Sequence, residues 1–303
     1  MNFTEWYTGI NDFRKCTFTP GVEQNEFVTE ILENDFEPNR DLELIVLDHL
    51  LSIKSKKKEI LFSGGSDSEF VLRVCMKYKI DFEVVIMKIY TSGFLFNTHD
   101  LYYAEKFVRE NDIKHRFVKL DAIDFYRSGK YLEYLLPFDI DEPHVASHFW
   151  LIEQCSEFPI FGGDWFWVHT HLDNKIISPH RYHYSLYEQF MKSRNIEGIG
   201  NCLGHSFEAN YRLIQLHIDA YNKLTEQKER WIIPTKIKQV MFNMEEPRIR
   251  SHGWNTFNGG NFFDVDIFKK DLQKIVKPTI SKVVWGNKIA DLLNSNTNEN
   301  SVM

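Results

Sequence analysis

What the chain has little of is informative first. It has four cysteines, Cys16, Cys75, Cys155 and Cys202, separated by dozens of residues and never in a CxxC pair. That spacing argues against a zinc knuckle or a redox dithiol and fits reduced, mostly buried thiols. No window approaches the roughly 20 consecutive apolar residues of a membrane helix. The first residues, Met1 to Arg14, are aromatic and acidic and do not resemble a secretion signal. A cytoplasmic protein with no membrane partner is the expectation. There is no dominant basic block either. The 36 basic and 43 acidic residues give a formal charge of -7 and a pI near 6.0, and Lys54 to Lys58 is the one basic cluster, which makes nucleic acid an unlikely partner. No internal repeat is found.

What is present is a globular chain of 303 residues with 43% hydrophobic content, enough for a well-buried core. Residues 1–40 show turn signals at Pro20-Gly21 and Pro38-Asn39 but no sustained period, so they are set apart as an N-terminal appendage. From Asn39 a helical pattern runs through Leu42, Leu44, Ile45, Leu47, Leu50 and Leu51. Glu59-Ile60-Leu61-Phe62 then reads as a strand, followed by Ser-Gly-Gly and a helix through Phe70, Val71, Val74, Cys75 and Tyr78. Further strands are predicted at Phe82 to Tyr90, His115 to Leu120 and Phe158 to Phe161, with helices at Thr98 to Glu110 and Pro143 to Cys155. Alternating strands and helices predict an α/β fold with a doubly wound parallel sheet and right-handed crossovers, here placed in residues 41–200. Residues 201–293 are predicted to be mainly helical, with one long helix from Ser206 to Arg230. Residues 294–303, dominated by Asn and Ser, read as a mobile tail.

The chemistry is carried by Ser63-Gly64-Gly65-Ser66-Asp67-Ser68. A turn from a parallel strand into a helix presents backbone N–H groups that the helix itself leaves unsatisfied, at its positive end. Gly64 and Gly65 remove side chains that would block a phosphate, and the hydroxyls of Ser63, Ser66 and Ser68 add donors. Asp67 beside a phosphate is repulsive unless a cation lies between them, which suggests magnesium. The lysine of a Walker A loop is absent, so this is a different phosphate loop.

S-G-G-x-D-S resembles the signature of the PP-loop (N-type) ATP pyrophosphatases, whose sheet is of the adenine nucleotide alpha hydrolase type. Over roughly residues 40 to 170 the chain is most similar to the synthetase domain of asparagine synthetase. The helix before the motif strand, the segment from Ala104 through Asn111 to His115, and Phe161-Gly162-Gly163-Asp164 carry that resemblance. It implies an ATP-dependent, AMP-forming ligase that adenylates a carboxyl or carbonyl acceptor with pyrophosphate release, and amide formation where the nucleophile is ammonia. It also implies ATP and Mg2+ as cofactors, with Asp67 and Asp164 as the metal carboxylates. Asp67, Ser68 and Lys88 become the catalytic candidates. Ser63 to Ser68, Met87, Gly162 and Gly163 become the nucleotide and pyrophosphate contacts, strand Val84 to Ile89 offering backbone groups to the adenine ring.

Several features stand beside this reading. Trp165 follows Asp164 where the family pattern has an acidic residue, and a non-catalytic nucleotide sensor or assembly subunit is the alternative it opens. Lys88 offers itself equally to phosphate or solvent. His144 and His148, four apart, lack an evident third ligand and read as structural. Arg181 and His183, in the histidine-rich segments after the second glycine pair, and Arg248 with Arg250 are candidates for an anionic small-molecule acceptor. With Met1-Asn2 in place of a nucleophilic cysteine and no glutaminase-like region ahead of the motif, ammonia is expected from solution or a separate partner.

Overall fold

A computed structural model describes residues 16–20, 26–31, 40–54, 57–91, 93–138, 140, 142–163, 169–170, 176–178, 183–227, 234–244, 270, 274 and 280–285. Strands β1 (Cys16–Pro20) and β2 (Glu26–Ile31) pair antiparallel. Helix α1 (Leu42–Ser52) follows and buries Leu42, Ile45, Val46 and Leu50, a stripe at helical spacing. Then come β3 (Lys58–Leu61), α2 (Ser66–Lys77), β4 (Phe82–Thr91), the short β5 (Phe94–Leu95), α3 (Thr98–Glu110) and β6 (His115–Asp121). Helices α4 (Ala122–Arg127), α5 (Lys130–Leu135) and α6 (Pro143–Glu153) lead to β7 (Phe158–Phe161). Pro143 opens α6, where its missing N–H costs nothing. Beyond lie β8 (His169–Thr170), β9 (Ile176–Ser178), α7 (His183–Ser193), α8 (Phe207–Glu226), α9 (Pro234–Met241) and β10 (Ile280–Trp285). No helix among the described residues is long and apolar enough to cross a membrane.

The central sheet has the spatial order β6-β4-β3-β7, all parallel, with β5 folded back antiparallel on the end of β4. From β3 the chain winds outward through β4 to β6, then crosses back to lay β7 on the other side of β3. This is the doubly wound α/β arrangement, and the winding reverses between β3 and β7. Alternation along the strands divides the core between two faces. Ile60, Phe62, Val84, Ile86 and Ile160 pack with residues of α1, α2, α3, α8 and α9. Leu61, Val85 and Ile89 pack with residues of α4, α5, α6 and α7.

Glu59, 1% exposed on β3, is the most deeply buried charged residue among the described residues of this sheet. Its carboxylate accepts from Arg116 Nη2 at 2.8 Å and from the backbone N–H groups of Ser156 at 2.7 Å and Glu157 at 2.9 Å. Burial alone would raise its pKa, but these donors hold it below the usual carboxylate range. They tie β3, β6 and the turn before β7 together at the end of the sheet away from Ser63.

A second sheet, in the order β1-β2-β10-β9-β8, joins opposite ends of the chain. Residues Glu26 to Ile31 lie parallel to Ile280 to Trp285 in register. Part of the segment 1–40, set apart from the sequence as an appendage, thus pairs with a strand that lies inside residues 201–293, the part expected to be mainly helical. Pairing between such distant segments leaves no local period to read.

Candidate functional site

β3 ends at Leu61, and the chain turns through Ser63, Gly64 and Gly65 into α2, facing the switch between β3 and β7. Gly64 adopts φ +77, and a Cβ there would lie 2.3 Å from the carbonyl oxygen of Asp100 and 3.1 Å from the nitrogen of Ala104. The turn therefore rests directly on the first turns of α3, and a side chain would separate them. Gly65 is the N-cap of α2 and no side chain caps that end, so the N–H groups of Ser66, Asp67 and Ser68 have no acceptor within the helix. The Gly65 N–H donates to Ser63 Oγ at 3.3 Å, and the Ser68 hydroxyl donates back to the Gly65 carbonyl at 3.1 Å. Ser63 is exposed and Ser66 half-buried, while Asp67 and Ser68 are buried. The result is a cluster of backbone donors at a positive helix end, suited to an anion.

The second glycine segment meets the first. A Cβ on Gly162 would come within 2.5 Å of Ser68 Cα, 2.6 Å of Ser68 N and 3.0 Å of the Asp67 carbonyl carbon. Backbone thus packs on backbone where β7 passes the start of α2. Gly163, at φ +144, faces Asn201 Oδ1 at a would-be Cβ distance of 2.8 Å. Residues 199–203 run alongside, with Cys202 N donating to the Phe161 carbonyl and Leu203 N to the Gly162 carbonyl, each at 2.9 Å. Glu188 of α7 holds this segment by accepting from Gly200 N at 2.5 Å. Burial pushes the Glu188 carboxyl up to about 7, against the pull of that N–H.

Asp67 receives a partner that sequence reasoning missed. The ammonium of Lys238, on α9, pairs with Asp67 Oδ2, the two side chains being 9% and 12% exposed. Asp67 Oδ1 is buried and has no hydrogen-bond partner. Lys238 was legible only as a lysine beside Ile237 and three residues before Met241, inside the buried stripe of an amphipathic helix. Asn201 and Glu188 carried no signal beyond being polar residues between apolar ones.

Other expected residues lie elsewhere. Lys88 sits on β4 with its ammonium 2.9 Å from Glu105 Oε1 and 3.7 Å from the Phe117 ring centre, toward the β6 edge. Met87, next to it, is half-buried and gives its carbonyl to Asn97 Nδ2 at 2.8 Å, while Ile89 N donates to Asn97 Oδ1 at 2.9 Å. His148 pairs with the Tyr187 hydroxyl at 2.6 Å, and His144 lies 3.3 Å from Glu142 Oε2. Among the described residues no group of three His, Cys, Asp or Glu is placed to hold a metal. Cys75 and Cys202 are buried and Cys155 half-buried, all three unbridged, and burial lifts the thiols of Cys75 and Cys155 to about 12. Asp164, Arg181, Arg248 and Arg250 fall outside the described residues. So does the side chain of His183, whose backbone opens α7.

Fold and site together define a class: a doubly wound α/β protein with an uncapped, glycine-rich strand-to-helix turn at its switch point. No family model and no curated protein matches the chain. Among solved structures it is similar to one described as a predicted subunit of tRNA methyltransferase from Methanocaldococcus jannaschii DSM. That match has 18% identity, covers 57% of this chain and 88% of the other, and has a TM-score of 0.30. An NH3-dependent NAD synthetase from Campylobacter jejuni subsp. jejuni NCTC 11168 in complex with the nitrate ion matches at 14% identity, over 72% and 93% of the two chains, with a TM-score of 0.29. NMN synthetase from Francisella tularensis matches at 13% identity, over 71% and 97%, with a TM-score of 0.30. Scores of this size carry no weight, and the class rests on the strand order and the turn themselves.

Proposed function

We propose that the chain is an ATP-dependent, AMP-forming ligase whose turn from Ser63 to Ser68 holds the departing pyrophosphate. The observation that carries this reading is the uncapped start of α2, pressed against Gly162 at the switch point, with a buried, half-satisfied carboxylate beside it. An acceptor carboxyl or carbonyl oxygen attacks the α-phosphorus, the bond from that phosphorus to the bridging oxygen of the β-phosphate breaks, and pyrophosphate keeps the electron pair. A nucleophile, ammonia in the asparagine synthetase-like version, then displaces AMP.

This chain's own residues bind and position. The N–H groups of Ser66, Asp67 and Ser68 take the phosphate oxygens, and Gly64 and Gly162 let backbone approach without steric hindrance. Lys238 supplies a positive charge at the Asp67 carboxylate. The free Oδ1 of Asp67 suits magnesium, which is commonly held by one or two carboxylates plus phosphate oxygens, with Asp164 as the proposed second carboxylate; bound there, it would neutralise charge on the pyrophosphate. The acceptor is a small molecule met by Arg181, His183, Arg248 and Arg250, and ammonia comes from solution or a separate glutaminase. The carbonyl of Met87 is the proposed contact of the adenine ring.

One observation favours a second reading, a nucleotide sensor or assembly subunit without turnover: Lys238 already neutralises, through Oδ2, the carboxylate that a metal would need. Formation of AMP and pyrophosphate from ATP, with magnesium and a panel of carboxylate acceptors, separates the two. Asp67→Asn is expected to abolish that turnover by at least about 100-fold with the fold retained. ATP binding without any AMP release would leave the sensor reading, and unchanged turnover in Asp67→Asn would remove Asp67 from the mechanism.

A further inference from the structure

We infer that Asn97 is a built-in plug that takes the place of the base and is displaced when an adenine nucleotide binds, an inference that rests on the proposed function. β4 outruns its neighbour: its last pair with β3 is Val85 opposite Leu61, with Phe62 N donating to the Val85 carbonyl at 3.0 Å, yet β4 continues to Thr91. The other edge of β4 is covered by β6 as far as Tyr90. On the β3 side, just past the phosphate turn, the carbonyl of Met87 and the N–H of Ile89 are instead met by one side-chain amide. Asn97 Nδ2 donates to the former and Oδ1 accepts from the latter, at 2.8 and 2.9 Å.

That pair of bonds has the pattern an adenine edge offers, an amino donor next to a ring-nitrogen acceptor. Asn97 also has a second place to go. It is the N-cap residue of α3, a position where asparagine ordinarily accepts from the first-turn N–H groups, and here its side chain makes no cap bond. Swinging from β4 to its own helix would expose the strand edge and cap α3 in one rotation. The same helix carries the signal to the phosphates, because the Gly64 turn rests on the Asp100 carbonyl in its first turn. A plug with an alternative partner lowers apparent base affinity without abolishing it.

Titration calorimetry of ATP and of tripolyphosphate, which has no base, tests this with Asn97→Ser and Asn97→Ala. Serine still caps α3 but is too short to span both β4 groups. In both variants the ratio of ATP to tripolyphosphate affinity should rise about fivefold, the net worth of one hydrogen bond. A ratio in Asn97→Ser that stays level or falls overturns the plug, as does failure of that variant to fold cooperatively, which would make Asn97 a structural clasp. If wild type and variants bind tripolyphosphate but not ATP, the plug is wrong while the phosphate turn stands. If wild type binds neither, the proposed function fails and the plug with it.

Discussion

Replacing Lys238 by methionine keeps most of the side chain's length and removes only its charge. In the native protein that ammonium and the Asp67 carboxylate are both largely out of water, and Oδ1 of Asp67 has no other partner. Lys238→Met therefore strands a buried carboxylate, and removing one member of such a pair costs about 3 kcal/mol or more. For a domain of this size that is a fall in Tm of about 6–12 °C. Asp67→Asn leaves the ammonium with a neutral acceptor and should cost less. The double variant, Asp67→Asn with Lys238→Met, removes both charges and should recover most of the loss, giving a coupling of about 2 kcal/mol between the sites. Urea unfolding of the four proteins measures this cycle. Additive losses, or a Lys238→Met protein as stable as wild type, would show that the contact is not formed in solution.

The glycines make the next prediction. Gly64→Ala forces a Cβ onto the Asp100 carbonyl at a positive φ, and Gly162→Ala drives one into the backbone of Ser68, so each should cost about 2–3 kcal/mol and weaken tripolyphosphate binding at least tenfold by calorimetry. A variant with native affinity would mean the two segments can separate freely. Stability should also fall on mild acidification. Burial, with the charge of His205 adding, holds His49 down at about 3, and burial holds His205 and His217 down at about 4. The unfolded chain takes up those protons near pH 6.5, so this stability is fully present above that value and drains away as pH falls, by about 1.4 kcal/mol per pH unit for each histidine. Glu188 acts in the opposite sense, since its raised pKa favours the folded state at low pH and that gain is lost as pH rises through about 7. The histidines outnumber it, so the urea midpoint should drop between about pH 7 and about pH 5.5. His49→Phe, which preserves a stacked ring opposite His205, should flatten that slope. A midpoint flat across this range would contradict the burial of the pair.

Much of the fold was legible because its signals are local. The strand at Phe158–Phe161 and the helix at Thr98–Glu110 fall where apolar period placed them, and strands alternating with helices imposed the parallel sheet. The glycine pair at 162–163 was singled out, and Gly162 does meet the start of α2 at Ser68, because a doubly wound sheet brings strand ends together at its switch point, while Gly163 faces Asn201. Lys88 shows the limit of such reasoning. Its position on β4 was foreseen, but its direction, toward Glu105 and Phe117, depends on how α3 and β6 flank the strand.

By itself, then, the amino-acid order determined the α/β class and the glycine turn from β3 into α2, since both follow from periods and backbone freedoms within a few residues. Only the tertiary structure decided what answers Asp67, because Lys238 lies far along the chain on a helix whose burial comes from packing against α8. It alone also decided that Asn97 fills the gap left on one edge of β4 between β3 and β5, and that residues 26–31 pair with 280–285. These are contacts between distant segments, set by which faces are left to be covered once the local elements have formed.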